Sequence, residues 1–253
     1  MKIDKNQFAE LNRSTGIRHA QQFKFLADDL QKQGIDVASL VDQLSDFQVA
    51  IPSWALGAGG TRFGRFSFPG EPASLEQKIE DVGVLHALTH SAGAISLHIP
   101  WDIPQDYTAI RALAQEHDLI FDAVNSNTFQ DQKGAAKSYK FGSLSDVEKT
   151  VRDQAIEHNH TVIDIGTQLG SNSLTVWLAD GADFPGQTNF QTALENTQDS
   201  LQKIYKHIPD DWKMFIEYKP YEPHFYSTVI QDWGTSLMLA NACGEKAYTL
   251  VDL

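Results

Sequence analysis

The spacing of hydrophobic residues changes near residue 45 of the chain. Before that point, apolar positions follow the three- and four-residue spacing of a helix, for example at Phe8, Leu11, Phe23 and Leu26. The pattern carries no strand signals and stops near a glycine that can end a helix. The sequence therefore predicts an N-terminal helical extension over residues 1–45.

From Gln48 onward, short apolar runs alternate with longer amphipathic segments. This alternation is typical of βα units that build a parallel sheet. The predicted strands are 49–54, 94–99, 119–125, 162–177 with an interruption, 214–219 and 247–252. The predicted helices are 74–90, 107–117, 144–158, 190–207 and 226–241, the third beginning with a capping box at Ser145 and Glu148.

Six predicted strands are compatible with a doubly wound sheet or with part of a (β/α)8 barrel. A doubly wound sheet accommodates six strands, whereas a closed (β/α)8 barrel needs eight. Polar and aromatic residues collect at the C-terminal ends of nearly every predicted strand, which is where barrel enzymes place their active sites. We therefore expect residues 46–253 to form a (β/α)8 TIM barrel, incomplete at its C-terminus.

Composition limits the function classes. The chain has 253 residues, 42% of them hydrophobic, with a net charge of -13 from 33 acidic and 20 basic residues. No apolar run approaches the roughly 18 residues that cross a bilayer. The acidic surface disfavours nucleic acid and anionic membranes as partners, and a single cysteine, Cys243, fits a cytoplasmic protein. We expect small neutral or cationic ligands.

The second predicted strand ends in a histidine and a tryptophan. A period of two directs His98 to the face opposite Ile95 and Leu97, and Trp101 follows just beyond the strand. We expect His98 to point into the barrel, where it is either a site residue or a core histidine satisfied by a hydrogen bond.

Two acidic residues close successive strands. Glu217 and Lys219 share one face of the fifth strand, so that the ammonium would lower the pKa of the acid and keep it ionised. Asp252 ends the sixth strand, and two neighbouring carboxylates need a cation or a proton between them. These residues predict a metal site or an acid–base site, with a structural ion pair as the alternative for Glu217 and Lys219.

Aromatic residues at strand ends predict a flat-walled pocket. Trp54, Trp101 and Trp177 take such positions, and Phe63 lies in a glycine-rich loop predicted to be a lid. Such walls suit sugar rings, whereas core packing is the alternative for each aromatic taken separately. His158 is predicted to lie at a helix end, where an imidazolium complements the helix dipole.

Several of these segments resemble the bacterial L-rhamnose isomerases of broad substrate range. The resemblance covers essentially the whole chain. It is carried by the motifs WALGAGGTRF (54–63), HIPWD (98–102), WLADGADFPGQ (177–187), FIEYKP (215–220) and VD (251–252).

The resemblance implies a xylose-isomerase-like TIM barrel that interconverts aldoses and ketoses such as L-rhamnose and L-rhamnulose. It implies two divalent metal ions, usually Mn2+, with Glu217 bridging them and Asp252 bound to one. Lys219 would lie beside the metals and the sugar, and a hydride shift between C2 and C1 or an enediol route would follow. Relatives are tetramers, which suggests a homo-oligomer. The resemblance implies the sugar-binding residues Trp54, Phe63, His98, Trp101 and Trp177.

Members of that family continue beyond the segment matching VD (251–252) into further metal ligands, so the chain is expected to be the N-terminal portion of such an enzyme. Two alternatives stay open. One is a sugar epimerase of the same barrel class, and the other is an inactive remnant or a sugar-binding protein.

Overall fold

A computed structural model describes residues 5–56, 69–221 and 226–251, without the side chains of Lys5 and Asn12. Phe63 and Asp252, two of the predicted site residues, lie outside these residues. The secondary structure is seven α-helices and eight strands over this part of the chain. The helices are α1 Lys5–Lys32, α2 Val37–Ser45, α3 Leu75–Thr89, α4 Tyr107–Glu116, α5 Lys149–Leu169, α6 Phe190–Tyr205 and α7 Trp233–Cys243. The strands are β1 Ala50–Pro52, β2 Ala94–Ile99, β3 Ile120–Ser126, β4 Ser173–Trp177, β5 Gly181–Ala182, β6 Lys213–Glu217, β7 Ser227–Thr228 and β8 Ala247–Leu250.

Six strands form one sheet in the order β1-β2-β3-β4-β6-β8, and β5 pairs with β7 in a small antiparallel ladder. The sheet is parallel, as βα units require. The expected α/β fold with six parallel strands is therefore confirmed. Closure into a barrel and its incompleteness at the C-terminus stay predictions.

The chain divides into two compact units. The first consists of Met1–Ile95 and Thr108–Ile120, and the second of Ser96–Tyr107 and Phe121–Leu253. In the first unit, α1 and α2 occupy most of residues 5–45, in agreement with the helical pattern. The core of this unit includes Ile79, Val82 and Ile110, which are at most 2% exposed. The boundary predicted at residue 45 stays a prediction.

In the second unit, helices pack along the sheet. α7 packs on β6 and β8, and α6 lies between α5 and α7. Met214 and Ile216 of β6 are fully buried, whereas Phe215 and Glu217, which alternate with them, are half-buried. The predicted alternation of this strand is thus confirmed.

The prediction for residues 162–169 was wrong. We expected a strand there and a helix that ended at residue 158, but α5 runs without a break to Leu169. Its buried residues, including Ala155, Asn159, Val162 and Ile163, recur at helical spacing. The preference of β-branched residues for strands is weak, and burial along one face of a helix can outweigh it.

Two predicted helix starts were also wrong. Ser145 does not cap α5, which begins four residues later behind Glu148. The predicted 226–241 helix is α7, which begins at Trp233 after the side chain of Asp232 accepts a hydrogen bond from the Thr235 N–H. No helix among the described residues is long and apolar enough to span a bilayer.

Candidate active site

Four aromatic rings from the second unit lie together at the C-terminal ends of β2, β3 and β4. The His98 and Trp101 rings are stacked with their centroids 4.0 Å apart. Phe129 lies 5.6 Å from His98 and 4.1 Å from Trp177, centroid to centroid. His98, Trp101 and Trp177 therefore come together as the aromatic pattern predicted, and Phe129 joins them into one wall.

Phe129 was missed in the sequence. The predicted third strand stopped at residue 125, whereas β3 continues to Ser126 and Phe129 follows three residues later. The strand-end rule that selected Trp101 and Trp177 selects Phe129 as soon as the strand has its observed end. The error was therefore the predicted position of the strand end, since Phe129 is an aromatic residue of the kind that the rule selects.

A half-buried ion pair adjoins this wall. The Lys219 Nζ lies 2.8 Å from Glu217 Oε1, and their side chains are 20% and 15% exposed. The same ammonium lies 5.8 Å from the centroid of Trp177. Glu217 pairs with Trp177 in the β4–β6 register, which places the carboxylate beside the aromatic wall. The predicted proximity of Glu217 and Lys219 is confirmed.

The small β5–β7 ladder holds Lys219 in place. The Lys219 N–H donates to the Ile230 carbonyl at 3.0 Å, and the Thr228 hydroxyl donates to the Lys219 carbonyl. Gly181 of β5 is required because a Cβ atom there would lie 2.3 Å from the Ser227 carbonyl oxygen. The main chain of Lys219 is thus hydrogen-bonded through both of its polar groups, which fixes the position of its backbone beside Glu217.

Asp180 anchors the long loop that carries Phe129. This carboxylate is 3% exposed and accepts hydrogen bonds from the main-chain N–H and the hydroxyl of both Ser143 and Ser145, at 2.7 to 2.9 Å. Four donors satisfy a buried charge that would otherwise be costly. This bonding also explains why Ser145 does not cap α5.

Asp102 fixes the turn after β2 in a similar way. Its carboxylate accepts a hydrogen bond of 2.9 Å from the His98 N–H, and its own N–H donates to the His98 carbonyl at 3.0 Å. Trp101 lies inside this closed turn, which accounts for its stacking on His98. The turn therefore presents two of the four rings as one rigid piece.

His158 does not lie at a helix end, contrary to the prediction. It lies inside α5, where Nε2 accepts a hydrogen bond of 3.0 Å from the Asn127 N–H. The imidazole also bonds the Ile99 backbone, and burial lowers the pKa of His158. Because Nε2 accepts a hydrogen bond from an N–H, it carries no proton; the ring is therefore neutral and joins the end of β2 to the segment that follows β3.

Three predicted site residues lie outside the second unit as the structure describes it. Trp54 belongs to the first unit, in the turn Ser53–Ala55, and is half-buried there. Its role in sugar binding stays a prediction, as do the roles of Phe63 and Asp252.

The metal expectation can be compared with the side chains present. Manganese takes several oxygen or nitrogen ligands, mostly from carboxylates and imidazoles. Within residues 5–56, 69–221 and 226–251, no group of three or more His, Cys, Asp or Glu side chains is arranged to hold a metal ion. Glu217 supplies one carboxylate, so the described residues do not by themselves fit a manganese ion.

Two named proteins are similar in sequence to this chain. The chain is 49% identical over 233 residues to a protein of Rhizobium meliloti (strain 1021) named as a probable sugar isomerase. It is 48% identical over 233 residues to a probable sugar isomerase of Mesorhizobium japonicum. Each match covers 92% of this chain and 54% of the relative, so the chain spans about half the length of the curated relatives it matches. No family model matches the chain.

Solved structures show a similar fold at low sequence identity. A D-allulose 3-epimerase from Methylomonas sp., in complex with D-allulose, has a TM-score of 0.57 and 13% identity, with 80% of this chain and 61% of that chain covered. An L-ribulose 3-epimerase has a TM-score of 0.56 and 12% identity, over 80% of this chain and 59% of the other. At this identity the likeness concerns the fold alone: the α/β architecture of this chain is similar to that of these two epimerases.

Proposed function

We propose that this chain forms the aromatic side of the active site in a sugar isomerase that interconverts an aldose and a ketose. The observation that carries the proposal is the position of Trp177. Its ring contacts Phe129, and its centroid lies 5.8 Å from the Lys219 Nζ of the Lys219–Glu217 ion pair. An apolar wall with a carboxylate and an ammonium at its edge complements the apolar and the polar surfaces of a sugar.

A sugar ring has apolar C–H faces and a polar rim of hydroxyl groups. Rings such as Phe129 and Trp177 suit the C–H faces because they offer flat apolar area at low entropic cost. Glu217 accepts hydrogen bonds from hydroxyls, and Lys219 donates to them. The four aromatic rings and the ion pair therefore act on different parts of one ligand.

The two sequence relatives favour isomerisation over epimerisation. Both are named as probable sugar isomerases and are nearly half identical to this chain. The epimerases among the solved structures support the fold alone, because their identity is 12 to 13%. The resemblance of the pocket motifs to L-rhamnose isomerases makes L-rhamnose and L-rhamnulose the proposed substrate pair.

Aldose–ketose exchange moves one hydrogen between C1 and C2 and one proton between O1 and O2. A hydride shift requires that water be kept from the two carbons, which the apolar wall of Trp101, Phe129 and Trp177 favours. Lys219 would stabilise negative charge that develops on a sugar oxygen, and Glu217 would hold a hydroxyl in position. The rival enediol route would need a base at C2 as well.

Manganese dependence is part of this proposal. Glu217 and Asp252 would supply carboxylate ligands, and the other ligands would have to come from residues other than those described. The proposal also includes a homo-oligomer, a tetramer in the resembling family, and a cytoplasmic setting.

A binding and turnover panel tests the proposed function. L-rhamnose, L-rhamnulose and D-allulose are titrated into the chain, with and without Mn2+, while tryptophan fluorescence is followed, and products are identified by NMR. We expect L-rhamnose and L-rhamnulose to change the fluorescence, with any product being the C1–C2 isomer. Conversion of a ketose to its C3 epimer would favour the epimerase instead, and no response to any sugar would overturn sugar binding.

The matched variants for this test are Trp177→Ala in the wall and Trp233→Ala on the surface. Trp233 is 59% exposed at the start of α7, so its removal leaves the wall unchanged. A sugar response that disappears in the first variant and persists in the second assigns the signal to the pocket.

A further inference from the structure

His158 makes two hydrogen bonds that join separate parts of the second unit. Its Nε2 accepts from the Asn127 N–H at 3.0 Å, and the other side of the ring bonds the Ile99 backbone. A carbonyl oxygen can only accept a hydrogen bond, so the ring nitrogen that bonds Ile99 must carry the proton. Since Nε2 is an acceptor, that nitrogen is Nδ1. Only a neutral imidazole makes both bonds, and burial lowers the pKa of this histidine in accordance with that state.

Each bonded backbone group lies next to a ring of the aromatic wall. Ile99 directly follows His98, and Asn127 precedes Phe129 by two residues. The His98 and Phe129 rings meet edge to face with centroids 5.6 Å apart. A change in the distance between the ends of β2 and β3 therefore changes the distance between these two rings.

The segment between β3 and Phe129 depends on this bond. Asn127 and Thr128 are fully buried. Within the part of the chain that the structure describes, the carboxamide of Asn127 and the hydroxyl of Thr128 have no hydrogen-bond partner. Their side chains consequently do not fix the segment, and the main-chain bond from Asn127 to His158 is the polar contact that does.

We propose that His158 is a positioning residue, which sets the spacing of the His98 and Phe129 rings by joining the ends of β2 and β3 from within α5. The affinity of the pocket for a sugar then depends on a helix residue that does not touch the ligand. This second step rests on the proposed function, whereas the ring spacing does not.

The substitutions that test the proposal follow from the two bonds. His158→Leu keeps a side chain of similar bulk but removes both bonds. His158→Gln restores them, because its carboxamide has one donor and one acceptor. His160→Leu is the matched control, since His160 lies two residues further along α5 and stacks on His207, with a centroid distance of 4.1 Å.

The first readout needs no ligand. Amide exchange of Asn127 and the nuclear Overhauser contacts between the His98 and Phe129 rings are measured by NMR on the full chain. In His158→Leu we expect exchange at Asn127 to become about tenfold faster, as for one lost hydrogen bond, and the ring contacts to weaken. In His158→Gln and His160→Leu both should match the unsubstituted chain. Unchanged ring contacts in His158→Leu would overturn the proposal.

The second readout is sugar affinity. The dissociation constant for L-rhamnose is expected to rise about tenfold in His158→Leu and to return to within about twofold in His158→Gln. If the role of His158 were purely structural, His158→Leu would lower the melting temperature but leave the dissociation constant unchanged. There would then be no loss of affinity for His158→Gln to reverse. If the unsubstituted chain binds no sugar, the proposed function fails, and the ring contacts alone decide whether His158 positions the wall.

Discussion

Trp177 and Glu217 occupy paired positions in the parallel ladder of β4 and β6. Lys219 approaches both of them, 2.8 Å from the Glu217 carboxylate and 5.8 Å from the centre of the Trp177 ring. Trp177 and Glu217 are consequently held by neighbouring strands, and Lys219 follows the end of β6 by two residues. A cation near an aromatic face and bonded to a carboxylate is held in one place by both contacts.

The ion pair is expected to contribute more than a surface pair. Because both side chains are mostly buried, removal of one partner leaves a poorly solvated charge. A double-mutant cycle with Glu217→Gln and Lys219→Met, followed by urea unfolding, should give a coupling free energy of about 1–3 kcal/mol.

The matched control is the Asp199–Lys203 pair of α6, whose side chains are about half exposed. Its coupling, measured with Asp199→Asn and Lys203→Met, should be about 0.5 kcal/mol or less. Equal coupling in the two cycles would show that burial does not strengthen the Glu217–Lys219 pair.

Trp177 should contribute directly to sugar affinity. Trp177→Ala removes a ring that forms the wall together with Phe129. We therefore expect L-rhamnose to bind at least about tenfold more weakly. Trp177→Phe keeps an aromatic face and should lose less. Isothermal titration of both variants checks the order, and equal affinities for Trp177→Ala and the unsubstituted chain would remove Trp177 from the pocket.

Strand ends identified most of this wall from the sequence. His98, Trp101, Trp177, Glu217 and Lys219 were selected because they follow or close apolar runs, and the structure brings them together. Period-two alternation and the rule for strand ends are local signals, so a single sequence carries them.

The supporting contacts could not be predicted in this way. Asp180 bonds a loop that begins more than thirty residues earlier, and His158 reaches the ends of two strands from a helix. These partners are distant in sequence and are determined by how α5 and the loops pack. The His158 prediction was also wrong because the end of α5 was placed near residue 158, when the helix continues to Leu169.

Gly181 is expected to be intolerant of a side chain. The Cβ atom of Gly181→Ala would lie 2.3 Å from the Ser227 carbonyl oxygen and 2.9 Å from the Thr228 Cα, both of which are backbone atoms. The β5–β7 ladder must separate to make room, and we expect a loss of about 1–3 kcal/mol in the free energy of unfolding.

The matched substitution is Gly16→Ala in α1. A Cβ atom there meets nothing within 4 Å, so alanine should raise the free energy of unfolding by about 0.5–1 kcal/mol through its higher helix propensity. The two changes are thus expected to have opposite signs in urea unfolding. Stabilisation by Gly181→Ala would contradict the close approach of β5 and β7.

The neutral state of His158 makes stability depend on pH. Burial lowers its pKa in the folded protein below the value near 6.5 of an unfolded chain, so the unfolded state takes up the proton first as pH falls. The contribution of His158 is therefore present above pH about 6.5 and is lost as pH falls through the lower folded pKa. In His158→Gln this part of the slope should be absent, whereas His19→Gln, a change at an exposed position of α1, should keep it. Urea unfolding at pH 7.5 and pH 5.5 measures the difference, and equal pH dependence in all three proteins would show that His158 does not titrate with folding.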